Sequence, residues 1–193
     1  CSVRRQRQMC IRDSLSWSLT ERSIASITGA EQVGIINDLQ AQGYGLTSLD
    51  KADLEPITVG SQRANSNATR LVCGIGTGFN AAPVFNLGHK IFVPPSEAGH
   101  SQLSITDKSY QSIFEKIGSV GSFVSVEDIL SGRGLENLGR ALTGNDETAA
   151  QIMQKASQGD ENSKKVAHLL TTCAGSFFGD LALILLPFGG IYL

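Results

Sequence analysis

Cysteine is scarce and badly spaced for any structural use. The 193 residues hold four, and two of these, Cys1 and Cys10, fall in an N-terminal stretch set apart below. Cys73 and Cys173 stand far apart, with no C-x-x-C pair. That pattern excludes a disulfide framework and a zinc site, and it fits a reducing, cytoplasmic compartment. Long apolar runs are missing too. The most apolar stretch, Phe177–Leu193, is broken by Asp180, Pro187 and Gly189-Gly190. Its uncharged runs fall short of the roughly 20 residues that span a bilayer, so it reads as a buried helix followed by a strand, with no membrane role. No internal repeat and no low-complexity tract occurs.

What is present is an ordinary globular composition, 41% hydrophobic and 18% charged, with 21 glycines. The length suits one good-sized domain, or one and a half smaller ones. Residues 1–14 stand apart, having no hydrophobic period and a run of basic side chains. A nucleic-acid-binding arm is one reading of such a run. Arg4–Asp13, however, reads as the translation of a transposase-type sequencing adapter, so residues 1–14 are taken as an adapter-derived scar and excluded from the fold. Without them Lys+Arg drops from 16 to 12 and Asp+Glu from 18 to 17, moving the formal charge from −2 to −5. That balance argues against nucleic acid as a partner.

From Leu15 onward helical and strand signals alternate, as in an α/β or α+β chain. Thr20 is positioned to cap a helix reaching about Ala30, and Val33–Ile36 reads as a short buried strand with Asn37 and Asp38 at its exit. Leu39–Leu46 is helix-like but weakened by Gly43 and Gly45, and Thr47–Asn67 reads as a connection. Strands are expected at Arg70–Cys73, Ala81–Phe85 and Lys90–Val93. Helical spacing follows at Tyr110–Ile117, Val126–Leu130 and Leu135–Leu142. Asp146 is the expected cap of a helix over Glu147–Ser157. Asp160 is the expected cap of a long helix burying Val166, Leu169, Leu170, Cys173, Phe177, Leu181 and Ile184.

Four segments carry residues suited to chemistry. Gly74-Ile75-Gly76-Thr77-Gly78 lets backbone N–H groups approach an anion and adds a threonine hydroxyl, but a plain hairpin turn would look the same. It lacks the Gly-Lys-Ser/Thr of a Walker loop, and the strand after it excludes a dinucleotide fingerprint. Asp38 is suited to serve as a base for a hydroxyl attacking phosphorus, though taken alone its position favours a helix cap. Glu97 and His100, in Pro95–His100, suit a sugar's hydroxyls; a metal would want a third nearby ligand, and His89 and His168 are distant in sequence. Glu127 and Asp128 are equally explained as acidic residues at the start of a short helix entered at Ser125.

In order, these pieces resemble the bacterial glucokinases of the hexokinase–actin ATPase superfamily, from about Leu15 to Leu193. Leu15–Ser18 resembles the end of the family's Thr-Asn-x-x-Trp stretch, and Ile36–Ala41 its Ile-Asn-Asp-Phe-x-Ala. Gly76-Thr77-Gly78 is similar to its second phosphate loop, and Ser96–His100 to its Gly-Glu-Gly-Gly-His. Val124–Gly132 resembles Val-Ser-x-Glu-x-x-Leu-Ser-Gly, and Phe188–Leu193 the strand leading into the adenosine loop.

The resemblance implies an incomplete ribonuclease H-like actin/hexokinase ATPase fold. Residues 15–48 would end the small α/β domain, and 49–193 would form most of the large α+β domain. It implies an ATP-dependent hexose 6-phosphotransferase making glucose 6-phosphate, with Asp38 as general base. Asn37, Glu97, His100 and Glu127 would bind sugar hydroxyls, and Gly76, Thr77 and Gly78 nucleotide phosphates. ATP with Mg²⁺ would be used, the aspartate that helps place Mg²⁺ belonging to a first phosphate loop absent from these residues and no metal ligand being expected among them, and the parent enzyme would be a homodimer.

Ser96 and Ala98 stand where the family has glycine, which loosens the expectation for hexose choice, and the zinc motif of the related repressor kinases is absent. The family's first phosphate loop, Asp-x-Gly-Gly-Thr-Asn, and its adenosine loop are expected to lie outside the 193 residues, leaving this piece inactive alone. A non-catalytic sugar-binding or regulatory protein on the same fold, or a kinase for another hexose, are the alternatives.

Overall fold

The computed structural model describes residues 19–58, 65–104, 110–118 and 123–193. The adapter reading of 1–14 and the Leu15–Ser18 motif lie outside the described residues.

The centre is the antiparallel pair β1 (Arg70–Ile75) and β2 (Phe79–Asn86), registered from Arg70 opposite Val84 to Ile75 opposite Phe79. Short β3 (Ile91–Phe92) extends β2 antiparallel, and β4 (Ile191–Tyr192) runs parallel to β1, giving the order β3-β2-β1-β4 among the described residues. Side chains alternate across a strand, so this pair presents two apolar faces. Leu71, Cys73, Phe79 and Ala81 face the larger core, whereas Val72, Ala82 and Val84 join Leu39 and Val93 in a smaller one.

The smaller core is roofed by α2 (Asp38–Gly45), capped reciprocally by Asn37 and Gln40. Its interior glycine is a packing device: a Cβ at Gly43 would lie 2.9 Å from a Val93 methyl and 3.1 Å from one of Val84. Ahead of α2, α1 (Glu21–Thr28) is capped by Thr20 and closed by Gly29 in the left-handed region, close to the expected bounds.

Helices α3 (Gln111–Ile117), α4 (Gly132–Thr143), α5 (Ala149–Ser157) and α6 (Glu161–Leu185) cover the other face. Asp160 caps α6 by accepting from the Ser163 amide at 2.8 Å, as expected. That bond holds the Asp160 carboxyl below its ordinary range. The stabilisation therefore persists above the usual carboxylate pKa and fades as acid protonates the cap.

Four expectations are corrected. Val33–Ile36 is not a strand and is not buried: Ile35 and Ile36 are exposed, and among the described residues no strand pairs with the segment. β-branched residues favour extended backbone, but a strand forms only where a partner takes its hydrogen bonds. Val126–Leu130 is a single turn rather than a helix, closed by Leu130 N–H donating to the Val126 carbonyl and locked by Ser125–Asp128 side-chain bonds. Thr148, not Asp146, caps α5, in a box with Gln151; Asp146 pairs instead with Arg140. Finally, α6 is buried along one stripe only: Val166, Leu169, Cys173, Phe177 and Leu181 face the core, while Leu183 and Ile184 are exposed. By length and composition alone α6 would suffice to cross a membrane. Here it serves as a wall of the larger core, and the chain turns after it into β4.

Two outcomes follow from this core. Leu138, fully buried on α4, is expected to cost about 2–5 kcal/mol as Leu138→Ala, read from urea unfolding. Burial pushes the thiols of Cys73 and Cys173 up to about 12 and about 11 from an ordinary 9.0. The folded chain keeps those protons where the unfolded chain releases them. Stability is thus fully present below about pH 9 and declines as the pH rises towards 11–12, and neither thiol should alkylate at pH 8 until denaturant is added, as read by peptide mapping.

Candidate active site

The hairpin turn Gly76-Thr77-Gly78 projects from the end of β1–β2 and is closed by Gly76 N–H donating to the Gly78 carbonyl, 2.9 Å. The segment is the hairpin turn that the sequence allowed, with Gly76 and Thr77 exposed. The turn is braced from below, where Gly132 N–H donates to the Gly76 carbonyl at 2.8 Å. That bond ties it to the N-terminus of α4, which Ser131 caps through the Gly134 amide.

Glu127 lies directly against this turn. A Cβ on Gly78 would stand 2.6 Å from its Oε2, and that oxygen accepts from the Phe79 amide at 3.2 Å. Its other oxygen, Oε1, is 3.4 Å from the Arg133 guanidinium. The carboxylate is thus held at the mouth of the turn by one backbone donor and one exposed cation. The Glu127 amide donates to the Gly99 carbonyl at 2.9 Å, so the loop Ser96–His100 is seated on the same spot. Gly99 allows this, because a Cβ there would collide with the Phe79 carbonyl. Within that loop the His100 Nε2 is 3.9 Å from Glu97 Oε2, an ion pair when His100 is protonated. Ala98–His100 forms one 3-10 turn.

Asn37 and Asp38 reach the same end of the sheet by a different route. The first turn of α2 rests on β1, with Leu39 packed where Gly74 has no side chain (3.2 Å to an ideal Cβ). Gln40 Nε2 donates to the Val93 carbonyl at 2.9 Å, three residues before Ser96. Asn37 Oδ1 caps α2 by accepting from the Gln40 amide at 2.7 Å. Asp38, exposed at the helix start, accepts from the Leu39 amide at 2.9 Å. Sequence reasoning set catalysis and capping as alternatives for Asp38. In the structure Asn37 is the cap, and Asp38 is the first residue of the helix, with Oδ1 on the Leu39 amide.

The sequence-designated residues thus gather around one end of the β1–β2 hairpin. His168 is exposed on α6 and His89 on the β2–β3 connection, both away from it. A cavity of about 440 Å³ lies at the opposite end of the hairpin, lined by Arg70, Asn86, His89 and Lys90 among others, and contains none of the designated residues. Two residues at the site escaped sequence reasoning: Arg133, on Glu127, and Asn80, whose side chain bridges β2 to the Ser96–Ala98 loop. No motif marks either; both act across contacts that only folding creates.

Among the described residues, no group of three or more His, Cys, Asp or Glu side chains is placed to hold a metal ion. The glucokinase family model matches residues 3–193. This chain belongs to the glucokinase family. The match opens within the stretch read above as adapter-derived. The glucokinase of Agrobacterium fabrum is 33% identical over 184 residues, covering 92% of this chain and 54% of that protein. That of Brucella abortus is 34% identical over 185 residues, covering 92% and 53%. The chain therefore spans about half the length of the curated relatives it matches. The crystal structure of a glucokinase from an Antarctic psychrotroph superposes with a TM-score of 0.77 at 28% identity, over 91% of this chain and 56% of that one. The mixed α/β architecture is thus part of the hexokinase–actin ATPase-like fold that these kinases share.

Because Gly99 has no room for a side chain, Gly99→Ala is expected to destabilise the chain by about 1–3 kcal/mol in urea unfolding.

Proposed function

We propose that the full-length protein phosphorylates glucose at its 6-hydroxyl with ATP, and that these 193 residues supply the sugar side of that site. The carrying observation is the seating of Glu97, His100 and Glu127 on the Gly76–Gly78 turn through Gly99 and Phe79. A sugar held by one group of these and a phosphate held by the other would be neighbours. The ligands in related crystal structures support the reading, since a kinase of this fold from Streptomyces griseus was crystallised with glucose and AMPPNP.

In this reading Asn37, Glu97, His100 and Glu127 hydrogen-bond the sugar's hydroxyls. They orient the 6-oxygen so that little of the barrier is spent on alignment. The Asp38 carboxylate accepts the 6-hydroxyl proton as that oxygen bonds the γ-phosphorus, and the bond from phosphorus to the β,γ-bridging oxygen breaks, releasing ADP. The Thr77 hydroxyl and the backbone N–H groups of Thr77 and Gly78, in the turn that Gly76 closes, steady phosphate oxygens. Mg²⁺ would neutralise phosphate charge. By the family resemblance, the aspartate of the first phosphate loop, outside these 193 residues, would help place it. A cytoplasmic homodimer, and the division of the chain near residue 48 into small-domain and large-domain parts, belong to the same reading and rest on the family resemblance.

The test is a coupled assay for glucose 6-phosphate on the full-length protein with Asp38→Asn. Turnover is expected to fall about 10²–10⁴-fold while glucose binding, followed by calorimetry, persists. Equal turnover in the variant would remove Asp38 from the chemistry. Glucose binding without any ATP-dependent product, even in the unaltered protein, would leave a sugar-binding protein instead. A panel of hexoses in the same assay tests the choice of glucose.

A further inference from the structure

We infer that Asn80 is a positioning residue that holds the sugar-binding loop in register with the phosphate-binding turn; this rests on the kinase reading above. Asn80 is the second residue of β2, two positions after Gly78. It pairs across the ladder with Gly74, and by strand alternation it shares the sheet face of Ala82 and Val84, the face that α2 covers. Its half-buried side chain makes three hydrogen bonds. Oδ1 accepts from the Ala81 amide at 2.8 Å and from the Ala98 amide at 3.0 Å, while Nδ2 donates to the Ser96 carbonyl at 2.7 Å. Glu97 is therefore clamped on both sides, by its neighbours' backbone, to the strand that begins at the turn.

The geometry uses what only a short carboxamide offers, a donor and a double acceptor on one planar group. Aspartate keeps the acceptor but turns an anionic oxygen on the Ser96 carbonyl, and alanine removes all three bonds. Asn80 also lies beside the first turn of α2, since its ladder partner Gly74 is the residue on which Leu39 packs. One side chain thus sits where the elements carrying Asp38, Glu97 and Gly76–Gly78 converge. The other brace, Gly99 on Phe79, is purely backbone and steric. It fixes the far end of the loop and leaves Ser96–Ala98 to Asn80.

The experiment compares the full-length protein with Asn80→Ala and Asn80→Asp by hydrogen exchange over residues 96–101 and by steady-state kinetics. In Asn80→Ala, which loses both bonds to the loop, exchange in this segment and the KM for glucose are each expected to rise at least about tenfold, since one lost hydrogen bond is already worth about that much. The KM for ATP and exchange in the α5 segment 149–157 should stay unchanged, which shows that the fold is intact. Asn80→Asp should recover protection at the Ala98 amide and part of the glucose affinity. Unchanged exchange at 96–101 overturns the inference. So does raised exchange with an unchanged glucose KM, or a parallel rise for both substrates. If the unaltered protein neither binds glucose nor makes product, the kinase reading fails, and the exchange measurement still decides whether Asn80 holds the loop.

Discussion

The β1–β2 hairpin is covered on both faces, and this double burial is what the other elements are arranged to satisfy. An antiparallel pair can leave one face to water, yet here Leu71, Cys73, Phe79 and Ala81 point to one core while Val72, Ala82 and Val84 point to another. Apolar burial at about 25 cal/mol per Å² favours closing both sides. Each side is closed differently. The helical wall meets the sheet through an edge-to-face contact of Phe79 with Phe177, ring centres 5.5 Å apart. The thinner roof, α2, approaches closely because Gly43 and Gly74 leave room for Val93, Val84 and Leu39.

Rigidity at the hairpin's end is the consequence that matters for chemistry. A turn between two strands buried on both sides cannot drift, and bonds from segments distant in sequence converge on it. Gly132 holds Gly76, Phe79 holds Glu127, and Glu127 holds Gly99. Most of these are backbone bonds, which do not depend on side-chain rotamers and keep the groups within the narrow tolerance that the proposed phosphoryl transfer would demand. The departures Ser96 and Ala98 are tolerated for the same reason. Ser96 contributes its carbonyl and Ala98 its amide, so the side chains there are not part of the brace.

Local chemistry was legible wherever it was local. Thr20, Asp160 and the glycine turn follow from the sequence because caps and tight turns are made by residues within four positions of one another. Val33–Ile36 misled because β-branched composition reports a preference for extended backbone and says nothing about a partner. Asp146 misled because an acidic residue before a helix caps it only if nothing better competes; Thr148 has Gln151 to close a box, and Arg140 takes the carboxylate. The length of α6 was readable. Its half-exposure was not, since periodicity locates an apolar stripe and does not say how wide a neighbour will cover it.

By itself, then, the order of short motifs along the chain determined the family and named Asp38, Glu97, His100, Glu127 and Gly76–Gly78, because residue identity at fixed spacing survives without coordinates. Tertiary structure alone decided that these groups share one end of one hairpin, and that Asn80, Arg133 and the bare face of Gly99 hold them there. The physical reason is distance. Asn80 reaches Ser96 and Ala98 across 16 and 18 residues of chain and Phe79 reaches Glu127 across 48, and no local preference encodes which hydrogen bond closes such a gap.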